Sequence, residues 1–252
     1  MSGTIDIKEF PIDQIQDDSK IVVIGKPGSG KSALIKALVN HLKMKYPVAK
    51  VMSGSEEANP FYSHFIPNLF ISNKYDEDEV FRFMSRQKKA RNDPKCSNPR
   101  ALLVVDDCAD DPKLLSRPAM QKVFKNGRHY KMMFLMGLQY SMDIRPNIRL
   151  LIDYIFIFRD VTETGRKNLY ANFATIVGSY NNFCDLMDQL TGDYNCLVID
   201  NRQQGMELDR CIYYYKAPFL PPSFQMNFGC DEYRQWSEAR YNTAYQPGED
   251  DD

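Results

Sequence analysis

Apolar residues in this chain gather into short unbroken runs, and between the runs lie longer stretches in which they recur at helical spacing. Ile21–Ile24, Ala49–Met52, Ala101–Val105, Lys131–Leu138 and Asp153–Phe158 read as strands with little or no polar face, the pattern of strands covered on both sides in a parallel sheet. From Ser32 the positions Leu34, Ile35, Leu38, Val39 and Leu42 mark a helix that Pro47 stops. Asp76–Arg91, DEDEVFRFMSRQKKAR, places acids in its first turn and bases in its last, as a helix dipole favours. Further helices are expected from Pro112 to a C-cap pair at Asn126-Gly127, over Thr162–Phe173 and over Asn181–Leu190. Tyr194–Asp200 and Cys211–Tyr215, joined through Asn201–Arg210, predict an antiparallel hairpin at the sheet edge. The fold expected is α/β: a mainly parallel, doubly wound central sheet with helices on both faces and a C-terminal antiparallel edge hairpin.

Less regular stretches flank these elements. Ile5, Ile7, Phe10, Ile12 and Ile15 alternate weakly and predict a short edge strand, and Asn59–Asn73, NPFYSHFIPNLFISN, reads as loop with a short strand at Leu69–Ile71. Residues 1–245 are expected to form a single domain, and 246–252 an acidic disordered tail.

The chemistry concentrates where the first strand meets the first helix. Gly25-Lys26-Pro27-Gly28-Ser29-Gly30-Lys31-Ser32 fits G-x-x-x-x-G-K-[ST] at every fixed position, between an apolar run and an amphipathic segment. Such a loop turns its backbone N–H groups around a phosphate, and its glycines allow positive φ and close approach. Lys31 is expected to reach the β/γ-phosphates and the Ser32 hydroxyl to ligate Mg²⁺, so ATP and Mg²⁺ are the expected ligands.

In a doubly wound sheet ligands sit beyond the strand C-termini, which directs attention to the residues that end the other apolar runs. Leu102–Val105 ends in Asp106-Asp107, where Asp106 would hold Mg²⁺ through water and Asp107 would polarise the water that attacks the γ-phosphate. The competing reading of Asp107 is that it begins the turn Cys108–Pro112. Gln139, leaving the next strand, is placed to sense the γ-phosphate. Arg128, in Asn126-Gly127-Arg128-His129-Tyr130, is a candidate arginine finger for a neighbouring subunit, with Arg117, Arg145 and Arg149 as competitors.

Charge and cysteine usage narrow the classes. With 32 Lys+Arg against 33 Asp+Glu, no global basic field advertises nucleic acid, so contact with DNA would be local or built by several subunits. Arg86, Lys88, Lys89, Arg91 and Lys95 form one local basic run, which reads either as a solvated face or as a phosphate-binding surface. No apolar run approaches the roughly 18 residues of a membrane span, and MSGTIDIKEF lacks a signal-peptide core, so a soluble intracellular chain is expected and not an integral membrane protein. Cys96, Cys108, Cys184, Cys196, Cys211 and Cys230 contain no C-x-x-C pair and read as reduced thiols.

GKPGSGKS, LLVVDD and NGRHYKMMFLMGLQY together resemble the FtsK/HerA-type P-loop ATPases, and especially the genome-packaging ATPases of large nucleocytoplasmic DNA viruses, over about Lys20–Tyr215. The resemblance implies a RecA-like fold in which the Gln139 strand lies between the phosphate-loop strand and the Asp106 strand. It also implies a homo-oligomeric ring, hexamer or pentamer, that hydrolyses ATP and pulls double-stranded DNA. A capsid or membrane-associated virion component is the implied further partner, and the host cytoplasm (viral factory) or the virion the implied place. Many relatives carry Glu where Asp107 stands. The alternatives are a nucleotide or nucleoside kinase, which needs an arginine-rich lid, and a nucleotide-gated scaffold, which has no need of a water-activating acid.

Overall fold

An apolar run without a polar face folds stably only if both faces are covered, and the chain meets that demand with one sheet sandwiched between helices. The structure, a computed structural model, describes residues 7–108, 111, 113–140, 144–203, 207–221 and 224–242. The strands are β1 (Lys20–Ile24), β2 (Val48–Ser53), β3 (Ile71–Ser72), β4 (Ala101–Asp106), β5 (Met132–Leu138), β6 (Tyr154–Ile157), β7 (Asn195–Asp200) and β8 (Ile212–Lys216). The helices are α1 (Lys31–Leu42), α2 (Glu77–Asn92), α3 (Pro118–Asn126), α4 (Pro146–Arg149), α5 (Glu163–Leu169), α6 (Tyr180–Leu190), α7 (Leu208–Cys211) and α8 (Asp231–Arg240).

The eight strands pair in the order β3-β2-β4-β5-β1-β6-β7-β8. Pairing is parallel from β3 through β6, and antiparallel from β6 to β7 and from β7 to β8. The β5 strand therefore lies between β1 and β4, as the resemblance implied. Every residue of β1, β2, β4, β5 and β6 is buried. Val22, Leu103, Phe134 and Ile155 face α2, α3 and α6, whereas Val23, Val104, Leu135 and Phe156 face Leu34, Ile35, Leu38 and Leu42 of α1. The two faces give two cores of comparable make-up, the layered arrangement of a doubly wound fold.

Several boundaries differ from expectation. The predicted strand Leu69–Ile71 is displaced: Asn68–Phe70 forms a tight helical turn and only Ile71–Ser72 pair, with Val51 and Met52. Gly127 is not a left-handed C-cap. Its φ is −50°, the chain continues through a further turn at Gly127–Tyr130, and Lys131 makes the reversal at φ +56°. The helix expected from Pro112 begins at Pro118, after a separate turn at Leu114–Ser116, because Pro118 fits the first helical position without wasting an N–H. The N-terminal segment contributes one parallel bridge, Glu9 with Tyr214 of β8, where an edge strand was expected. The helix α8 carries little periodic signal in the sequence; it docks by Tyr233, whose ring stacks on Phe70 at 4.2 Å. Ile5, Pro112 and residues 246–252 lie outside the described residues.

Candidate nucleotide site

Because β1, β4 and β5 run parallel, their C-terminal ends meet on one rim of the sheet, and the residues that follow them are forced together. The loop Gly25–Ser32 leaves β1 there and enters α1. Gly28 and Gly30 adopt φ +77° and +104°, dihedrals that a Cβ would oppose. Among the described residues no side chain caps the first turn of α1, which leaves its leading N–H groups open to an anion. The buried Ser29 Oγ has no hydrogen-bond partner among the described residues. An uncapped helix end, an orphaned hydroxyl and a lysine in one cradle fit a phosphate group.

Lys31 is buried, and its Nζ lies 3.1 Å from Asp106 Oδ1 at the tip of β4. The other carboxylate oxygen, Oδ2, accepts a 2.9 Å hydrogen bond from the Tyr62 hydroxyl. Burial, reinforced by the Asp106 charge, pushes the Tyr62 phenol well above its ordinary pKa, so it stays a donor at physiological pH. Tyr62 is itself held by Glu56, a buried carboxylate that accepts from the backbone N–H groups of Phe61, Tyr62 and Ser63 at 2.8–3.1 Å. Asp106 is thus clamped from two sides, by the loop lysine and by an aromatic turn.

Asp107, next in the chain, turns away at φ +53° and receives a hydrogen bond from Gln139 Nε2 at the tip of β5. Two glycines make room for the acid pair. A Cβ on Gly137, the register partner of Asp106, would stand 1.9 Å from Asp106 Oδ1, and one on Gly54 would stand 2.2 Å from the Asp107 carbonyl. Gly137→Ala is therefore expected to destabilise the fold by about 1–3 kcal/mol, as overpacking does, and to displace the Asp106 carboxylate. Denaturant unfolding together with nucleotide binding checks both effects.

A further contact ties the phosphate loop to the strand on its other flank. Lys26 Nζ pairs with Asp160 at 2.9 Å, and Thr162 donates to the same carboxylate through its N–H and its hydroxyl. Burial disfavours the charge on Asp160, but Lys26 and Thr162 outweigh it and hold the carboxyl below its ordinary range.

The sequence-predicted residues Gly25, Lys26, Pro27, Gly28, Ser29, Gly30, Lys31, Ser32, Asp106, Asp107 and Gln139 accordingly share one rim. Arg128 does not. It lies at the opposite end of the sheet, half-exposed, with one guanidinium nitrogen on Asp153, which also accepts from the Lys20 N–H at 2.7 Å. Of its competitors, Arg117 pairs with Asp111, Arg149 donates to the Ala171 carbonyl, and Arg145 is exposed at the start of α4. Arg86, Lys88, Lys89, Arg91 and Lys95 are all exposed on and just after the C-terminal half of α2. Sequence reasoning missed Glu56, Tyr62 and Asp160. Tyr62 and Asp160 meet side chains distant in the chain, Asp106 and Lys26, while Glu56 binds backbone N–H groups five to seven residues on, and a lone acid or tyrosine in a loop carries no local signal.

Comparison with known proteins adds a family model, two relatives and two solved structures. The family model described as "Poxvirus A32 protein" matches residues 8–206. Uncharacterized protein 075L of Invertebrate iridescent virus 6 is 44% identical over 228 residues, covering 90% of this chain and 88% of the relative. Uncharacterized protein 088R of Invertebrate iridescent virus 3 is 41% identical over 243 residues, covering 92% of each. Among solved structures, B204, the DNA-packaging ATPase from Sulfolobus Turreted Icosahedral Virus, superposes with a TM-score of 0.60 at 20% identity, over 81% of this chain and 100% of that one. The genome packaging NTPase B204 from Sulfolobus turreted icosahedral virus 2, in complex with ATP-gammaS, gives 0.57 at 21% identity and the same coverage. These superpositions show a shared RecA-like P-loop ATPase fold. Among the described residues no helix is long and apolar enough to cross a membrane.

Proposed function

Because this chain belongs to the Poxvirus A32 protein family, we propose that it is an ATP-hydrolysing motor that translocates double-stranded DNA and loads a viral genome into its capsid. The observation that carries the reading is the meeting of Lys31, Asp106, Asp107 and Gln139 on the rim that bears the phosphate loop. A phosphate grip alone would serve any nucleotide binder. A second acid, presented by a left-handed turn and held by a glutamine from the adjacent strand, serves a hydrolase. The solved structures of this fold that carry the names DNA-packaging ATPase and genome packaging NTPase support the same reading.

In this proposal the loop N–H groups and Lys31 bind and orient the phosphates, Lys31 exchanging its ion pair with Asp106 for the β/γ oxygens. Ser32 and Asp106 are the residues that would hold Mg²⁺, which when bound neutralises charge on the phosphate oxygens. The Tyr62 hydroxyl keeps Asp106 oriented as Lys31 leaves. Asp107 takes the proton of the attacking water while the water oxygen bonds to the γ-phosphorus and the bond to the ADP oxygen breaks. Gln139 fixes the Asp107 carboxylate and senses the departure of the γ-phosphate. Arg128 acts on the pocket of a neighbouring subunit in a homo-oligomeric ring, hexamer or pentamer, and the exposed run Arg86–Lys95 offers contacts to DNA phosphates. A capsid or membrane-associated virion component docks the ring, in the host cytoplasm or on the virion.

The test is ATP hydrolysis by the pure protein with and without duplex DNA, together with duplex binding across salt. Turnover raised by duplex is expected, with binding that ignores sequence and falls steeply as salt rises, because phosphate contacts release condensed counterions. Absence of hydrolysis in both conditions overturns the enzyme reading. Hydrolysis without any duplex binding at low salt overturns the DNA reading.

A further inference from the structure

The phosphate cradle has an aromatic neighbour that the chemistry above does not use. Tyr194 stands in the turn between α6 and β7, and because β7 runs antiparallel to β6 this turn lies on the same rim as the loop. Its Cδ1 comes within 3.4 Å of where a Cβ on Gly30 would be, so the ring borders the last glycine of the cradle. Phe158 also borders Gly30, but Phe158 is 3% exposed and serves as packing, whereas Tyr194 leaves 64% of its surface in solvent.

The backbone that presents this ring is unusual. Asp193 and Tyr194 hold φ +50° and +60°, and Asn195 N–H donates to the Gly192 carbonyl at 3.0 Å, the pattern of a type I′ turn. Glycine, asparagine and aspartate dominate both central positions of such turns, since a bulky side chain is strained there. Asp193 conforms, and its carboxylate is tied to Lys216. Tyr194 does not conform. A large aromatic side chain thus occupies a position where glycine would cost the fold less, and it buries little surface in return.

We infer that the Tyr194 ring is the stacking platform for the nucleobase of the bound nucleotide. The inference rests on the nucleotide reading of the phosphate loop and adds a base subsite to it. A nucleotide with its terminal phosphates in the cradle carries its base beyond the α-phosphate and the ribose, at the mouth of the cradle, where the exposed ring bordering the last glycine stands. An exposed aromatic face there offers stacking to any base, so the subsite takes the ring without reading its hydrogen-bonding edge.

Equilibrium binding of ATP and of inorganic tripolyphosphate, each with Mg²⁺, separates base from phosphate. In the full chain, Tyr194→Gly is expected to weaken ATP about 5- to 150-fold, the range of base–aromatic stacking, while Tyr194→Phe stays within about twofold of the parent. Tripolyphosphate affinity is expected to be unchanged in both, and Tyr194→Gly to melt at or above the parent's temperature, since glycine relieves the turn. Tyr194→Asn, which also tolerates positive φ, repeats the test should the glycine variant not fold. Equal weakening of ATP and tripolyphosphate, unchanged ATP affinity in Tyr194→Gly, or a loss in Tyr194→Phe as large as in Tyr194→Gly each overturns the platform. A parent chain that binds neither ligand overturns the nucleotide reading itself, and the platform with it.

Discussion

Asp107→Asn is expected to bind Mg-ATP as tightly as the parent and to hydrolyse it about 10²- to 10⁴-fold more slowly, the span general-base catalysis contributes. Asparagine keeps the shape, tolerates the left-handed φ of +53° and still offers an oxygen to Gln139 Nε2, but it cannot take a proton from water. Lys31→Ala is expected to fail differently. It removes the cation from the cradle and leaves Asp106 buried with only Tyr62 as a partner, so nucleotide binding is lost together with turnover. Nucleotide titration and single-turnover hydrolysis distinguish the two defects. An Asp107→Asn protein that hydrolyses at the parental rate removes Asp107 from the proposed mechanism.

Arg128→Ala carries the second large expectation, a fall in hydrolysis of about 10³- to 10⁵-fold with ATP binding intact, as measured where arginine fingers stabilise γ-phosphoryl charge. The placement of Arg128 sets the terms. It sits at the sheet end away from its own phosphate loop, so it can reach a nucleotide only in another copy of the chain. Its side chain is 48% exposed, leaving part of the guanidinium free to face a neighbour. Mixing Arg128→Ala with Lys31→Ala subunits, each inactive alone, creates interfaces that pair an intact pocket with an intact arginine, and recovered hydrolysis is the expected result. Normal hydrolysis by Arg128→Ala alone at saturating DNA transfers the role to Arg145 or Arg149. Thermal melting belongs in the same experiment, because the Asp153 carboxylate that holds Arg128 also pairs with buried Lys20, and losing one cation there affects the fold.

What the sequence made legible follows from the range of the interactions involved. The phosphate loop is contiguous, and two of its three glycines, Gly28 and Gly30, are demanded by dihedrals within the loop itself. The strands were legible because two-sided burial leaves room for few polar residues, Lys20 and Lys50 being exceptions that pair with Asp153 and Glu79, and the acid pair because parallel strands must deliver their C-terminal residues to one rim. The Glu56–Tyr62–Asp106 clamp was not, since the turn that presents Tyr62 is held by a buried Glu56 accepting from three backbone N–H groups, an arrangement that no local pattern announces. Tyr194 ran against its local rule: a tyrosine before an apolar run reads as the first residue of a strand, and only the described turn shows it at positive φ. Gly127 misled for the opposite reason. Asparagine-glycine commonly ends a helix, but here the chain coils through one more turn and a lysine makes the reversal.

The two margins of the sheet bear on how copies of this chain can meet. On one side β8 is shielded at Tyr214, whose N–H donates to the Lys8 carbonyl while its own carbonyl accepts from Phe10. On the other, the outermost strand is two residues long, and its approach is occupied by Phe70 stacked on Tyr233 of α8. Among the described residues neither margin offers the long flat row of unpaired amides that templates strand addition. Chains crowded at high local concentration therefore have little to gain by extending one another's sheets into fibrils. Association is left to side-chain surfaces.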